Sequence, residues 1–189
     1  MSHENFLRIF AFRGKEILQV RFPKHWQEIQ EIITSVRAER TKISREQGRR
    51  GKPLFSPTSM NAQFQQQFQA RGWHELKDRF DLELPDYPSP QKLQGSKQVD
   101  FAKDQVLVEV QFGKYAFMFY DLAKFQYFYN ESQAEVAVEI VPAKPLQAQM
   151  SSGVAYGEQL VHDILRLRRH FPAVPVWVVL IVPDKNQQP

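Results

Sequence analysis

Val99-Asp100-Phe101-Ala102-Lys103-Asp104-Gln105-Val106-Leu107-Val108-Glu109-Val110-Gln111 reads as two short strands turned back on each other at Lys103-Asp104. Side chains along a strand alternate between its faces, so Glu109 and Gln111 share one face while Val108 and Val110 take the other. With a two-residue turn at Lys103-Asp104, Asp100 falls opposite Leu107 and diagonal to Glu109, roughly 7–8 Å away and within reach of a shared cation. Two carboxylates and an amide on one strongly apolar hairpin are a candidate metal site for cutting phosphodiesters. Alternation is also what any half-buried hairpin with a solvated face shows, and spacing alone leaves both readings open.

Outward from the hairpin, Ala134 to Val141 and Val174 to Val182 read as buried strands. The segment Gly157 to His170 between them reads as a helix bearing Leu160, Ile164 and Leu167. Strand, helix, strand at this spacing predicts a right-handed crossover, and hence an α/β fold whose central mixed sheet has helices on both faces. Tyr115 to Tyr129 holds eight aromatic residues and reads as a helix with Met118, Leu122, Phe125 and Tyr129 on one stripe. Apolarity this wide suits a helix covered on two sides, by the sheet and by either further core or a second subunit.

Toward the N-terminus, Phe6 to Phe12 and Glu16 to Phe22 read as a strand pair around Gly14. A long helix is expected from about Lys24 to Gln47, with Trp26, Ile29, Ile32, Ile33, Val36 and Ile43 at helical spacing. It runs into the basic loop Gly48-Arg49-Arg50-Gly51-Lys52-Pro53. A second helix is expected from Ser59 to Ala70, where Phe64 and Phe68 mark an apolar stripe, and Asp81 to Gln98 reads as a loop.

The 189 residues fit one domain, with no repeat and no linker that divides them. Twenty-five Lys and Arg against 21 Asp and Glu leave a net charge of +4 and a pI near 9.3, a mild bias toward a polyanion partner. The chain has no cysteine, which excludes a disulfide scaffold and thiolate-bound metal centres. The N-terminus lacks a signal-peptide pattern and no apolar run approaches the ~20 residues that span a bilayer, so a cytoplasmic location is expected. The five histidines form no metal-ligand pair, and there is neither a Gly-rich phosphate loop nor a nucleophile elbow.

The run Val99-Asp100-Phe101 and Val108-Glu109-Val110-Gln111-Phe112-Gly113-Lys114-Tyr115, with the distant Met150-Ser151-Ser152-Gly153, resembles the BglII/BstYI family of type II restriction endonucleases. The resemblance takes in the segments 26–33, Ser56-Pro57, Asn61, Arg71-Gly72-Trp73 and Pro172 to Val176, and so most of the chain in matching order. It implies a restriction-endonuclease-like core over residues 1–189, a homodimer and a double-stranded DNA substrate. It also implies a GATC-centred palindrome (AGATCT or RGATCY-like) cut to leave 5′-phosphate ends, and a cognate methyltransferase that protects the host without direct contact.

Asp100 and Glu109, with the Val110 carbonyl, are then the expected ligands of Mg²⁺, for which Mn²⁺ can substitute, because an all-oxygen set suits hard cations. Such an ion would neutralise the phosphate and lower the pKa of bound water. Most nucleases with this core carry lysine where Gln111 stands, and the broader motif has proline where Val99 stands. An amide is no base and brings no charge, so Gln111 is expected to orient water, leaving the general base open between a phosphate oxygen and a metal-bound hydroxide. The resemblance places Lys114, Ser151, Ser152 and Gly153 near the bases, where short hydroxyls can read edges and a glycine permits an unusual turn. Arg49, Arg50 and Lys52 are candidates for phosphate contact or a solvated loop. Glu28 and Glu31 are candidate outer acids, with Glu28 otherwise pairing with Lys24 on its helix. Two rival functions remain: a repair or structure-specific nuclease on the same core, and a sequence-specific DNA-binding protein without catalysis.

Overall fold

The computed structural model describes residues 6–82, 86 and 93–183. In chain order the elements are β1 (Phe6–Phe12), α1 (Gly14–Arg21), α2 (Pro23–Ser35), β2 (Lys42–Ile43), β3 (Pro53–Leu54), α3 (Pro57–Ala70), β4 (His74–Leu82), β5 (Leu93–Lys103), β6 (Val106–Val110), α4 (Tyr115–Asn130), β7 (Val136–Pro142), α5 (Lys144–Gln147), α6 (Gly157–Leu167) and β8 (Val176–Ile181). Every residue of β6, β7 and β8 is buried, as strands covered on both faces must be. They pair in parallel at the centre of a six-stranded sheet ordered β1-β8-β7-β6-β5-β4, with antiparallel strands on either flank.

One face packs α4 and α6, where Met118, Leu122, Phe125, Leu160 and Ile164 meet Leu107, Ala137, Val176 and Val178. The other packs α1, α2 and α3, where Leu18, Ile29, Ile33, Phe64 and Phe68 meet Val106, Val108, Val138 and Trp177. This is the expected α/β mixed sheet with helices on both faces, and the strand–helix–strand passage through α6 is present.

Four expectations are corrected. Residues 16–21 form helix, not strand, and Phe22 caps its end: Gly14 and Leu18 share its buried face one turn apart, and a Cβ on Gly14 would come within 2.4 Å of the β8 backbone nitrogen of Trp177. The helix expected to reach Gln47 stops at Ser35, with Val36 extended. Near that end the Thr34 and Ser35 hydroxyls donate back to the carbonyls of Gln30 and Ile32, and Ile43 lies exposed in β2.

The hairpin turns at Asp104-Gln105, one residue later than expected, with Asp104 at φ 45° and Lys103 paired to Val106. Extended by one residue, that register sets Asp100 across from Glu109 rather than diagonal to it. Finally, residues 81–98 are not one loop, because β4 ends at Leu82 and β5 begins at Leu93. The two strands form a ribbon whose outer part is largely exposed. The rest of that expected loop, apart from residue 86, lies outside the described residues.

Candidate active site

Glu109 is the only charged residue of β6. Strand alternation turns it with Leu107 toward α4, away from Val108 and Val110. Its register partner on β7 is Glu139, the only charge on that strand, so two carboxyls stand side by side on the face that α4 covers. Glu109 is 2% exposed and Glu139 fully buried, and neither Glu139 oxygen has a hydrogen-bond partner.

Helix α4 answers with a charged pair one turn apart. Lys124 reaches both carboxylates: its ammonium donates to Glu109 Oε1 and lies 2.8 Å from Asp121 Oδ1. Asp121 is buried among Met118, Leu122 and Phe125. Its second oxygen accepts from Gln111 Nε2 at 3.3 Å, so Gln111 arrives from the end of β6 and Asp121 from the helix above it. Gly113 makes this possible, since a Cβ there would come within 2.5 Å of Gln111 Oε1.

Asp100 completes the group from β5 and is exposed. Between the pairs Ala102–His74 and Val99–Leu76 the register shifts, so β5 carries a bulge around Asp100. A bulge re-aims a side chain at a strand edge. Asp100 and Val110 border a cavity of about 280 Å³, whose far wall is Asn61, Gln65 and Gln69 of α3 with His74 and Glu75 of β4.

Four carboxyls thus gather near one ammonium, which contacts Glu109 and Asp121, and the electrostatics follow. Burial, then the charges of Asp121 and Asp100, push Glu109 up to about 9 against the pull of Lys124. Burial also raises Asp121 and, with the neighbouring Asp121 and Glu109, drives Glu139 well above the usual carboxylate range. Burial opposes the charge of Lys124, but Glu109 and Asp121 outweigh it and hold the ammonium above the ordinary lysine range. Among the described residues no three carboxylates or imidazoles form a ready metal cage. The donor chemistry of Asp100, Glu109 and Asp121 nonetheless fits a hard cation, and the structure already sets one positive group, the Lys124 ammonium, against two of them.

The expected recognition residues lie together, beyond the end of β6. Lys114 is exposed at the N-cap of α4. The loop from Ala148 to Ala155 is tied beside it by the Ala155 N–H donating to the Gly113 carbonyl at 2.8 Å. Ser151 accepts from Lys42 Nζ at 2.8 Å, while the Ser152 N–H and hydroxyl donate to Glu46 Oε1 at 2.8 and 3.1 Å. Arg49 is turned inward rather than out to solvent, its guanidinium donating to the carbonyls of Ala148 and Met150 at 3.0 and 2.8 Å. Arg50 and Lys52 stay exposed.

Gly153 does not adopt the unusual backbone expected of it; the glycines at positive φ are Gly48, Gly51 and Gly72. Glu28 pairs with Lys103 at 2.9 Å and accepts from Trp73, not with Lys24, and lies at the opposite end of the hairpin. Glu31 accepts from Gln27 on its own helix. The residues that sequence reading missed are Asp121, Lys124 and Glu139. Their signal was present: each is a charge inside an otherwise apolar run.

A mixed sheet carrying an acid pair across its central hairpin, with a polar cavity alongside, is the frame of a phosphodiester-cutting enzyme. Residues 9–181 match the family model of restriction endonuclease BglII/BglIII, and the chain belongs to that family; it is a site-specific deoxyribonuclease. Its fold is similar to two crystal structures. The first is restriction endonuclease BglII complexed with a DNA 16-mer, at 21% identity and TM-score 0.71 over 94% of this chain and 78% of that one. The second is free BglII, at 22% identity and TM-score 0.64 over 94% of this chain and 81% of that one. No curated protein matches the chain.

Proposed function

We propose that the chain works as one endonuclease domain in a homodimer, and that it cuts both strands of a short palindrome in duplex DNA, centred on GATC and leaving 5′-phosphate ends. The observation that carries this is the meeting of Asp100 and Glu109 across the hairpin, with the Gln111 side chain at its mouth. Asp100, Glu109 and the Val110 carbonyl would hold a divalent cation, Mg²⁺ by preference, with Mn²⁺ able to replace it. Such a cation supplies charge neutralisation at the phosphate and makes water more acidic.

The chain's own groups do the rest. Gln111 cannot take a proton at neutral pH, so its amide orients water, while its bond to Asp121 limits its rotation. Lys114, Ser151 and Ser152 read base edges, Gly153 lets the loop approach closely, and Arg50 and Lys52 contact phosphates. Arg49 supports that surface by holding the carbonyls of the 148–150 segment. BglII is seen in complex with a DNA 16-mer, and duplex DNA is the ligand this edge would take. Phe117, Tyr120 and Tyr129 of α4 remain exposed apolar groups, 54%, 44% and 37% accessible, and suit the dimer contact. The enzyme would act in the cytoplasm beside a methyltransferase that protects the host.

The test is to incubate the protein with Mg²⁺ and long unmethylated DNA and to sequence the fragment ends. Identical ends at a GATC-centred palindrome are expected. Scattered ends would turn the assignment toward a structure-specific nuclease, and uncut but footprinted DNA toward a binding protein.

A further inference from the structure

We propose that Glu109 and Asp121 form a cation-exchange position, filled by the Lys124 ammonium in the free protein and taken over by the divalent ion, with Asp121 a further ligand from α4. The proposal rests on reading Asp100, Glu109 and Gln111 as the cutting centre. It adds a residue of the helix to a ligand set otherwise drawn from the hairpin.

The geometry of α4 carries the argument. Asp121 and Lys124 are three residues apart, so their side chains leave one face of the helix, and that face is the buried one. Lysine is rarely buried unless paired. Here its side chain is only 13% exposed and spans two carboxylates from different elements, Glu109 on β6 and Asp121 on α4. Asp121 is held on both oxygens, Oδ1 by Lys124 and Oδ2 by Gln111. The carboxylate is thereby aimed at Glu109 before any ion arrives.

The donor chemistry points the same way. The Lys124 ammonium is set against both Glu109 and Asp121, and an all-oxygen pair favours a hard ion. Behind Glu109, Glu139 is wholly buried and lacks any partner on either oxygen. Lys124 also has a way out. Its Nζ lies 6.0 Å from the Tyr120 ring, so the flexible stem can swing to that ring face, which can hold the displaced ammonium.

The test uses DNA-free protein and counts bound Mn²⁺ by electron paramagnetic resonance. Lys124→Met should bind Mn²⁺ at least about tenfold more tightly than the unaltered protein, and Asp121→Asn at least about tenfold more weakly. Unchanged or weaker binding by Lys124→Met overturns the proposal, as does unchanged binding by Asp121→Asn. An unaltered protein that binds no Mn²⁺ at all overturns the metal-dependent centre itself, which separates the two failures. Should Lys124→Met fail to fold, the unaltered protein carries the test through reductive methylation read by peptide mass spectrometry. Lys124 should label several-fold faster with Mg²⁺ than without it, measured against the exposed Lys144. Equal or slower labelling overturns the exchange.

Discussion

Replacing Glu139 by methionine should stabilise this protein, even though the residue sits at the heart of the sheet. Its carboxyl is fully buried, has no hydrogen-bond partner, and faces the charges of Asp121 and Glu109. Burial therefore favours the protonated form in the fold, while the unfolded chain ionises near 4.5. A raised folded value means the native state binds more protons than the unfolded one, so stability falls as pH rises above that point. Each pH unit across that window costs up to about 1.4 kcal/mol. The unpartnered neutral carboxyl adds about 1–3 kcal/mol at any pH. Glu139→Met should then gain about 1–3 kcal/mol at pH 4.5 and more at pH 7, by up to about 1.4 kcal/mol for each unit crossed. Glu139→Gln, which removes only the ionisation, should gain at pH 7 and not at pH 4.5. Urea denaturation in metal-free buffer, followed by tryptophan fluorescence at several pH values, measures both variants. A loss of stability in Glu139→Met at pH 7, or a gain that does not grow with pH, would refute the reasoning.

Asp100→Asn and Glu109→Ala should abolish cutting while specific DNA binding, measured by fluorescence anisotropy, stays within a few-fold of the unaltered protein. Gly113→Ala should slow single-turnover cleavage by about 10²-fold with little change in melting temperature, because its Cβ displaces the end of the Gln111 side chain and leaves the core alone. Arg49→Ala should cost about 1 kcal/mol and speed amide exchange through residues 148–152, since the guanidinium holds the Ala148 and Met150 carbonyls. Glu46 is held down to about 2 by the Ser152 N–H and by Arg49, so its contribution is complete above pH 4.5 and lost as pH falls toward 2. Urea melts across that window should show a shallower acid loss in Glu46→Gln than in the unaltered protein.

The buried strands were legible because β6, β7 and β8 are apolar runs bounded by polar residues, and α4 because its aromatics follow helical spacing. The β4–β5 ribbon was not: Leu93 to Gln98 is polar beyond Leu93, and in His74 to Leu82 the alternation of Leu76, Phe80 and Leu82 is broken by Asp78. Helix α1 failed for a related reason, since Gly14 and Leu18 are its only buried residues and Ile17 and Val20 read as β-branched strand content. The meeting of Asp100 with Glu109 followed from the hairpin even though the turn was placed one residue early. Asp121 and Lys124 required knowing which face of α4 meets the sheet, and an apolar stripe that broad does not say. Glu139 required the register of β6 against β7, which no single strand encodes.

Asp100, Glu109, Gln111, Asp121, Lys124 and Glu139 all fall between positions 100 and 139, whereas the hairpin of Lys42 to Leu54 and the loop of Ala148 to Ala155 fall outside that span. The charged cluster is therefore inherited as one uninterrupted piece of chain, closed by local turns and a single helix. The surface that grips Ser151 and Ser152 is stitched from two remote pieces through Lys42, Glu46 and Arg49. Exchanges within that stitching can reshape the rim without rewriting any residue of the cluster, which leaves the two halves of the molecule free to drift at different rates.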